Sequence, residues 1–431
     1  MSKPPLRLGI AGLGTVGAGV IKMLVQNGTL ISNRSGRDIV VTAVSARNKS
    51  KDRGVDLAPF AWVDDPVELA QRDDIDVFVE LIGGSDGPAK AATQAALAAG
   101  KDVVTANKAM LAENGHDLVQ TAEAAGRVIR FEAAVAGGIP VVKALAEGLA
   151  GNQISRVLGV MNGTCNYILT RMETAGLPYD TVFAEADALG YLEADPNLDV
   201  GGIDAGHKLS LLASIAFGTQ VDFGTMVLKG IGSITIDDIT AAAQMGYRIK
   251  LLGVAQMTDD GLEQRMTPCL VPATSPLGQL EGGTNMVILE GDQVGTIVLR
   301  GAGAGEGPTA SAVMADIIDI ARDIRISTFG QPLDTLVKST PALSSPAAPY
   351  YLRLMLRDVP GALADVTSRL GQGGISIDEM HQTPADDDHA NCVFVTHATT
   401  GADVEQTLAD ISSMDIITGT PVALRIEPVT A

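Results

Sequence analysis

Leu6-Arg-Leu-Gly-Ile-Ala-Gly-Leu-Gly-Thr-Val-Gly-Ala-Gly-Val-Ile21 follows the polar Ser2-Lys-Pro-Pro5 and passes from an apolar run through a glycine-rich turn into a helical repeat. Residues 6–11 have the pattern of a strand buried on both faces, and 16–25 that of a helix. Between them Gly12, Gly14 and Gly17 are spaced for a tight bend, for close approach of backbone to a pyrophosphate, and for packing of helix on strand. With Leu13, Thr15 and Val16 they make 12–17 the expected cofactor cradle, a merely structural glycine turn being the alternative.

Working outward, further strand patterns fall at 39–44, 76–81, 102–105 and 127–135, with helical patterns at 89–99 and 109–125. This alternation predicts an α/β fold with a parallel, doubly wound sheet, a Rossmann-like dinucleotide-binding domain over residues 1–140. From 154 to 299 helices mix with β-rich runs at 247–257, 262–271, 285–289 and 296–299, as expected of an α+β substrate and dimerisation domain over 141–307. A helix at 309–321, within a return segment at 308–330, is expected to rejoin the first domain. Pro332, Pro341, Pro346 and Pro349 mark a linker over 331–349. Beyond it, strand patterns at 350–357, 375–382, 390–397 and 421–427 with helices at 361–370 and 402–414 give the order βαββαβ, a ferredoxin-like module over 350–431.

The 431 residues carry 31 Lys and Arg against 51 Asp and Glu, a formal charge of −20, which argues against nucleic acid or an anionic membrane as partner. Three widely spaced cysteines fit a reducing compartment better than a disulfide framework, and no Cys/His cluster has zinc spacing. With no apolar stretch of spanning length, a soluble cytoplasmic protein is the expectation.

Candidate site residues cluster in a few segments. After the second strand pattern, Ser45-Ala-Arg-Asn-Lys49 stands where an acidic residue would bind a ribose 2′-hydroxyl. Arg47 and Lys49 therefore favour NADP over NAD, a solvated basic loop being the alternative. Lys108 follows the strand at 102–105 at its carboxyl end, where ligands sit in open α/β sheets, though an exposed lysine starting a helix would look the same. Between Leu189 and Lys208 four carboxylates, Glu193, Asp195, Asp199 and Asp204, alternate with small or apolar residues. Asp204 and Lys208 are four apart and share a face if the run 209–217 continues a helix, so a carboxylate would hold the lysine. Such a set suits gripping a cationic small molecule while offering one proton donor. His207 lies about 100° round that helix from Lys208, which favours a structural role.

Three further segments remain open on residues alone. Glu132-Ala-Ala-Val-Ala-Gly-Gly-Ile-Pro140 could hold a monovalent cation by its carboxylate and freed carbonyls, but a hinge with a capped carboxylate is favoured. Cys165, in Asn162-Gly-Thr-Cys-Asn166, is either a catalytic thiol or inert packing. Gly301-Ala-Gly-Ala-Gly-Glu-Gly-Pro-Thr309, with Gly305 and Glu306, either completes the nucleotide site from the far side or serves as a hinge.

Together with Val104-Thr-Ala-Asn-Lys-Ala109, Gly190-Tyr-Leu-Glu-Ala-Asp-Pro196 and Gly202-Ile-Asp-Ala-Gly-His-Lys208, these motifs resemble homoserine dehydrogenases of the bacterial monofunctional type. The resemblance implies reversible NAD(P)-dependent reduction of L-aspartate 4-semialdehyde to L-homoserine, in threonine and methionine biosynthesis. It implies Lys208 as proton donor and Lys108 as a second active-site lysine. Glu193, Asp199 and Asp204 would bind or organise substrate beside Gly163, Thr164 and Tyr191, and Thr105 would join the cofactor set. Glu132, Val135, Gly137 and Ile139 would form a sodium site. Ser85-Asp86-Gly87 departs from the expected pattern near the cofactor crevice. The C-terminal Leu354-Met-Leu-Arg-Asp-Val-Pro-Gly-Ala-Leu363 resembles an ACT domain, which implies threonine feedback through the loop at 357–361, with pure dimerisation as the alternative, and a homodimer or homotetramer. Two rival readings are a semialdehyde dehydrogenase acting through a Cys165 thioester and a catalytically silent nucleotide sensor.

Overall fold

The computed structural model describes residues 3–192 and 195–429. Strands β1 (Leu6–Ala11), β2 (Ile39–Ser45), β3 (Ala61–Trp62), β4 (Val77–Glu80), β5 (Asp102–Thr105) and β6 (Ile129–Arg130) form a parallel sheet in the order β3-β2-β1-β4-β5-β6. Alternation along the strands supplies two cores. Leu8, Ile10, Val77, Val79 and Val104 pack with the helix Glu306–Ala321, while Phe78 and Val103 pack with the helices Pro88–Ala98 and Lys108–Ala124 on the other side. The order reverses between β1 and β4, which opens a crevice at their carboxyl ends, where the first glycine turn lies.

Two local expectations are corrected. The pattern at 127–135 is not one strand. β6 stops at Arg130 because Phe131 leaves the extended region (φ −147, ψ 29), and Glu132–Ala134 forms a 3₁₀ turn. The return helix runs Glu306–Ala321, as the pattern at 309–321 predicts, but it does not fill the return segment to 330, because the chain turns at Asp323 (φ 62).

The second sheet is built from β7 (Ile154–Val160), β8 (Val227–Leu228), β9 (Tyr247–Thr258), β10 (Gly261–Pro272), β11 (Thr284–Gly291) and β12 (Gly295–Ala302). Its continuation comes from β13 (Tyr350–Arg357), β14 (Ile377–Pro384), β15 (His389–Thr396) and β16 (Ile417–Ile426), the ferredoxin-like strands in the order β16-β13-β15-β14. β16 pairs in parallel with β10 at Cys269↔Arg425 and Leu270↔Ile426, so the two modules share one sheet. The proline-rich segment between them is tied down: Val337 donates to the carbonyl of Gly218, and Leu262 donates to that of Thr340.

Two buried ionic clusters hold this joint. Glu427, 1% exposed, accepts from Arg156, Arg265 and Arg425. Asp238, fully buried at the start of the helix Ile236–Gln244, accepts from the Tyr351 hydroxyl at 3.0 Å and from Arg353 Nε at 2.5 Å, both on β13. Removing one partner of a buried pair leaves the other charge uncompensated. We predict that Asp238→Ala costs about 3 kcal/mol of stability in denaturant titrations, and that hydrogen exchange accelerates first in β13; unchanged stability would mean the cluster is not carrying the joint.

Candidate active site

The helix Ile203–Phe217 is the axis of the site. Gly202 starts it in a left-handed conformation (φ 83), and a Cβ at Gly206 would stand 2.9 Å from the Phe223 ring, so the first turn packs tightly against the segment that follows. Asp204 in that turn is 6% exposed. One of its oxygens, Oδ2, accepts from Lys208 Nζ at 2.6 Å, and the other, Oδ1, lies 2.9 Å from Lys108 Nζ. Burial pushes the Asp204 carboxyl up, but Lys208 and Lys108 outweigh it and hold the group well below the usual carboxylate range.

Lys208 also donates to the carbonyl of Met161 at 3.0 Å. Lys108 begins the helix Lys108–Ala124 just past β5, where Asn107 caps the helix by accepting from the Met110 amide. The Asp204 carboxylate thereby joins the carboxyl edge of the first sheet to the central helix of the second module. Asn162 adds a second layer: its amide donates to Asp199 Oδ1 at 3.0 Å and to Asp204 Oδ2 at 3.5 Å, while its oxygen caps the helix Gly163–Ala175. Gly163 faces the carbonyl of Gly283 closely enough that a Cβ would stand 2.6 Å from it. Thr164 Oγ1 donates to the carbonyl of Tyr191, whose half-exposed ring lies 4.8 Å from that of Tyr167. Glu193 lies outside the described residues.

Cys165 is fully buried, with Sγ donating to the Asp199 carbonyl at 3.3 Å. Burial, then Asp199 and Asp204, pushes its thiol up, the opposite of what a nucleophile needs. His207 faces Phe223 at 4.2 Å between ring centroids.

At the cofactor crevice Gly12 adopts φ 99 with the Leu81 carbonyl where a Cβ would stand, and Gly17 approaches the Gly12 carbonyl as closely. Leu13 is buried, and Thr15 and Val16 begin the helix Thr15–Ser35. Thr105 donates to Glu80 Oε2 at 2.5 Å, and that fully buried carboxylate also accepts from the amides of Ile82 and Gly83. Arg47 is exposed beyond β2, and Lys49 Nζ lies 5.7 Å from the centroid of the Trp62 ring. The acidic departure is stapled in place: Asp86 pairs with Lys90, which also donates to Asn114. From the far side Gly305 (φ 124) caps the helix whose Glu306 pairs with Lys22 at 2.8 Å, so the second glycine turn does reach the first helix.

Glu132 is 2% exposed and caps the short helix Val141–Lys143, accepting from the amides of Val142 at 3.0 Å and Lys143 at 2.8 Å. Burial and then Asp316 push its carboxyl up to about 7. Val135 and Ile139 are buried, and Ala136 and Gly137 are both left-handed (φ 55 and 54).

Residues 12–132 match the model of the homoserine dehydrogenase NAD binding domain, 140–318 that of homoserine dehydrogenase, and 350–414 that of the ACT domain. Homoserine dehydrogenase of Neisseria gonorrhoeae is 42% identical over 98% of this chain and 99% of its own, and that of Pseudomonas aeruginosa 41% over 98% and 99%. The chain belongs to the homoserine dehydrogenase family. The crystal structure of a homoserine dehydrogenase from Thiobacillus denitrificans superimposes with a TM-score of 0.93 at 39% identity, over 99% of both chains. The chain is thus an NAD(P)-dependent oxidoreductase of amino-acid biosynthesis with a C-terminal ACT domain, and the silent-sensor alternative falls away. Among the described residues no helix is long and apolar enough to cross a membrane.

Several site-forming residues escape a reading of the sequence. Arg53 donates to the carbonyl of Leu13 at 2.9 Å and ties the basic loop to the glycine turn; its only signal is the recurrence of Arg47, Lys49, Lys51 and Arg53 at alternate positions. Glu80, the one carboxylate ending an apolar strand, was detectable in principle. Lys250, 2% exposed on β9, donates to Asn166 Oδ1 at 3.0 Å and to the Leu280 carbonyl at 2.5 Å, beneath the loop that meets Gly163. Burial, then Arg248, lowers its ammonium from 10.5 to about 8. A lysine whose folded pKa lies below its unfolded one binds its proton less readily when folded, so stability rises with pH from about 8 towards 10.5 and this gain is absent below that window. Lys250→Met should remove that rise, worth about 3 kcal/mol at most. Parallel stability–pH curves for the two proteins across the window would refute it.

Proposed function

We propose that this homoserine dehydrogenase reduces L-aspartate 4-semialdehyde with Lys208 as the proton donor, preferring NADP to NAD. The observation that carries the reading is Asp204 held between Lys208 and Lys108 at the carboxyl edge of the first sheet. When bound, the nicotinamide supplies a hydride to the aldehyde carbon. Negative charge then grows on the aldehyde oxygen, and an ammonium beside it both stabilises that charge and gives up its proton. Lys208 suits the task because Asp204 and the Met161 carbonyl fix its Nζ from two sides. Lys108 supplies a second positive charge from the cofactor side. The acidic set Glu193, Asp199 and Asp204 binds or organises the substrate, with Glu193 the first choice to meet its ammonium by a charge-assisted bond. Gly163, Thr164 and Tyr191 line the substrate side. A thioester route through Cys165 has no support in its buried, proton-holding thiol.

For the cofactor, the backbone of Gly12–Gly17 receives the pyrophosphate. Thr105, Gly305 and Glu306 border the crevice, and Arg47 and Lys49 meet a 2′-phosphate. The segment Glu132–Ile139 suits sodium. Each Glu132 oxygen accepts one amide bond and keeps a lone pair, burial makes an uncompensated carboxylate costly, and Ala136 and Gly137 turn the backbone beside it. The cation would balance that charge, with the carbonyls of Val135, Gly137 and Ile139 as further ligands. Threonine acts as feedback effector at the ACT domain, where the loop after β13 ends at left-handed Gly361. A homodimer or homotetramer is favoured by the largely exposed edge strand β14.

With L-homoserine and either cofactor, Lys208→Ala should lower kcat about 10²- to 10⁴-fold while cofactor Kd stays nearly constant. Arg47→Ser with Lys49→Ser should lower kcat/KM for NADP about tenfold and spare NAD. Loss of cofactor binding in Lys208→Ala, or equal losses for the two cofactors in the loop variant, would remove these assignments. In melting experiments, threonine should raise Tm as it lowers activity, and sodium should raise Tm above matched choline in wild type but not in Glu132→Gln. No response to threonine in Tm or activity would leave the ACT domain a dimerisation module, and equal Tm in sodium and choline would dispose of the cation site.

A further inference from the structure

At the opposite edge of the first sheet from the glycine turn, the amino ends of β1, β4 and β5 surround a cavity of about 420 Å³, closed on one side by the segment after the return helix. In a chain of charge −20 its lining is cationic. Arg7, Arg37, Lys101, Arg127 and Arg325 line it, with Asp73, Asp76, Asp102 and Asp323. Three of the carboxylates are already matched: Asp76 by a two-pronged bond from Arg7, Asp102 by Arg325 at 2.5 Å, and Asp323 by Lys3 at 2.5 Å. Five cations line the cavity with four carboxylates, and because Lys3 from outside the lining neutralises Asp323, two positive charges are left.

The cations left over are Arg37, Lys101 and Arg127, none of which joins an ion pair among the described residues. Lys101 is 6% exposed, and the Nε atoms of Arg37 and Arg127 are buried without a hydrogen-bond partner. A shielded ammonium with no direct ion pair is costly, and an anion in the cavity, met by Lys101 and by the outer nitrogens of the two guanidinium groups, offsets that cost. Burial, against the pull of Asp73 and Asp76, lowers the pKa of Lys101, as expected where its own side chains do not fully balance the charge.

We propose that this cavity is a binding site for a phosphate dianion, carried by a phosphomonoester or taken up as the free ion. Two guanidinium forks and one ammonium from three separate chain segments match a tetrahedral group that offers several oxygens, and the surplus of two charges matches a dianion. The volume lies in the range of small-molecule pockets and so has room for more than the oxyanion itself. Because the occupant would link the turn before β2 to the starts of β5 and β6, binding should stabilise the first domain without touching Lys108 or Lys208.

The test is scanning calorimetry of the full chain with saturating NADP, so that basic groups at the coenzyme crevice are already engaged. Inorganic phosphate is titrated at constant ionic strength against chloride, and glycerol 3-phosphate is run in parallel. The expected result is a saturable rise in Tm of about 4 °C for wild type, absent in Lys101→Met and in the rim variant Arg37→Gln with Arg127→Gln. A response to phosphate alone assigns the site to the free ion, and one to glycerol 3-phosphate as well assigns it to monoesters. Equal shifts in wild type and the rim variant, or an equal response to chloride, overturn the proposal even if Lys101→Met fails to fold.

Discussion

A single carboxylate shared by two ammonium groups is the constraint on which the site depends. Lys208 is four residues from Asp204 on one helix, and Lys108 reaches Asp204 from a helix of the other module. Lys208 is held on one oxygen of that acid and Lys108 on the other. Fixed together on the two oxygens of a buried acid, they become two charges at a set separation, and their repulsion is offset by the group between them. The same arrangement ties the relative position of the two modules to the geometry of this site: moving the first sheet away from the helix Ile203–Phe217 breaks the contact between Lys108 and Asp204. Asn162 extends the coupling, since one amide touches both Asp199 and Asp204 and its own oxygen caps the next helix.

The legible parts of this architecture are those with a local period. Alternating apolar runs give the strands of the first sheet and its parallel order, three glycines give the turn at the switch point, and the spacing of four between Asp204 and Lys208 places both on one helical face. The contacts that finish the site join residues far apart in the chain, and nothing local records them. Lys108 meets Asp204 across the two modules, Lys250 meets Asn166 from β9, and Thr105 meets Glu80 across neighbouring strands. The failed strand at 127–135 has the same origin. Its apolar pattern persists, but the Glu132 carboxylate bonds to the amides of Val142 and Lys143, which requires the chain to turn after Phe131. Here tertiary hydrogen bonds override propensity.

The proline-rich stretch before β13 shows how composition alone can mislead about rigidity. Its prolines suggest a tether between independent bodies, yet its backbone bonds to Gly218 and Leu262, and β16 continues the second sheet beside β10. Three arginines on Glu427 and the Tyr351–Arg353 pair on Asp238 then fasten the ACT domain at two points. Buried charges of this kind are a poor source of net stability, but an alternative docking that separates them leaves a buried charge unpaired, which is costly. The ACT domain is therefore held in one register against the catalytic sheet.

That register connects the ACT domain to the site through a continuous set of contacts. β10, which meets β16 at Cys269 and Leu270, pairs along its whole length with β9, and β9 carries Lys250. Lys250 in turn supports Asn166 and the loop whose Gly283 carbonyl abuts Gly163 at the start of the site's second helix. A displacement of β16 would pass along paired backbone and one buried ammonium before reaching Asn162 and the Asp204 carboxylate. The links up to Asn166 are hydrogen bonds through paired backbone and the buried Lys250 ammonium, and the last is the close packing of the Gly283 carbonyl on Gly163. An effector that binds more tightly to one docking of β16 than to another would bias the geometry of the shared carboxylate by that difference in affinity and no more.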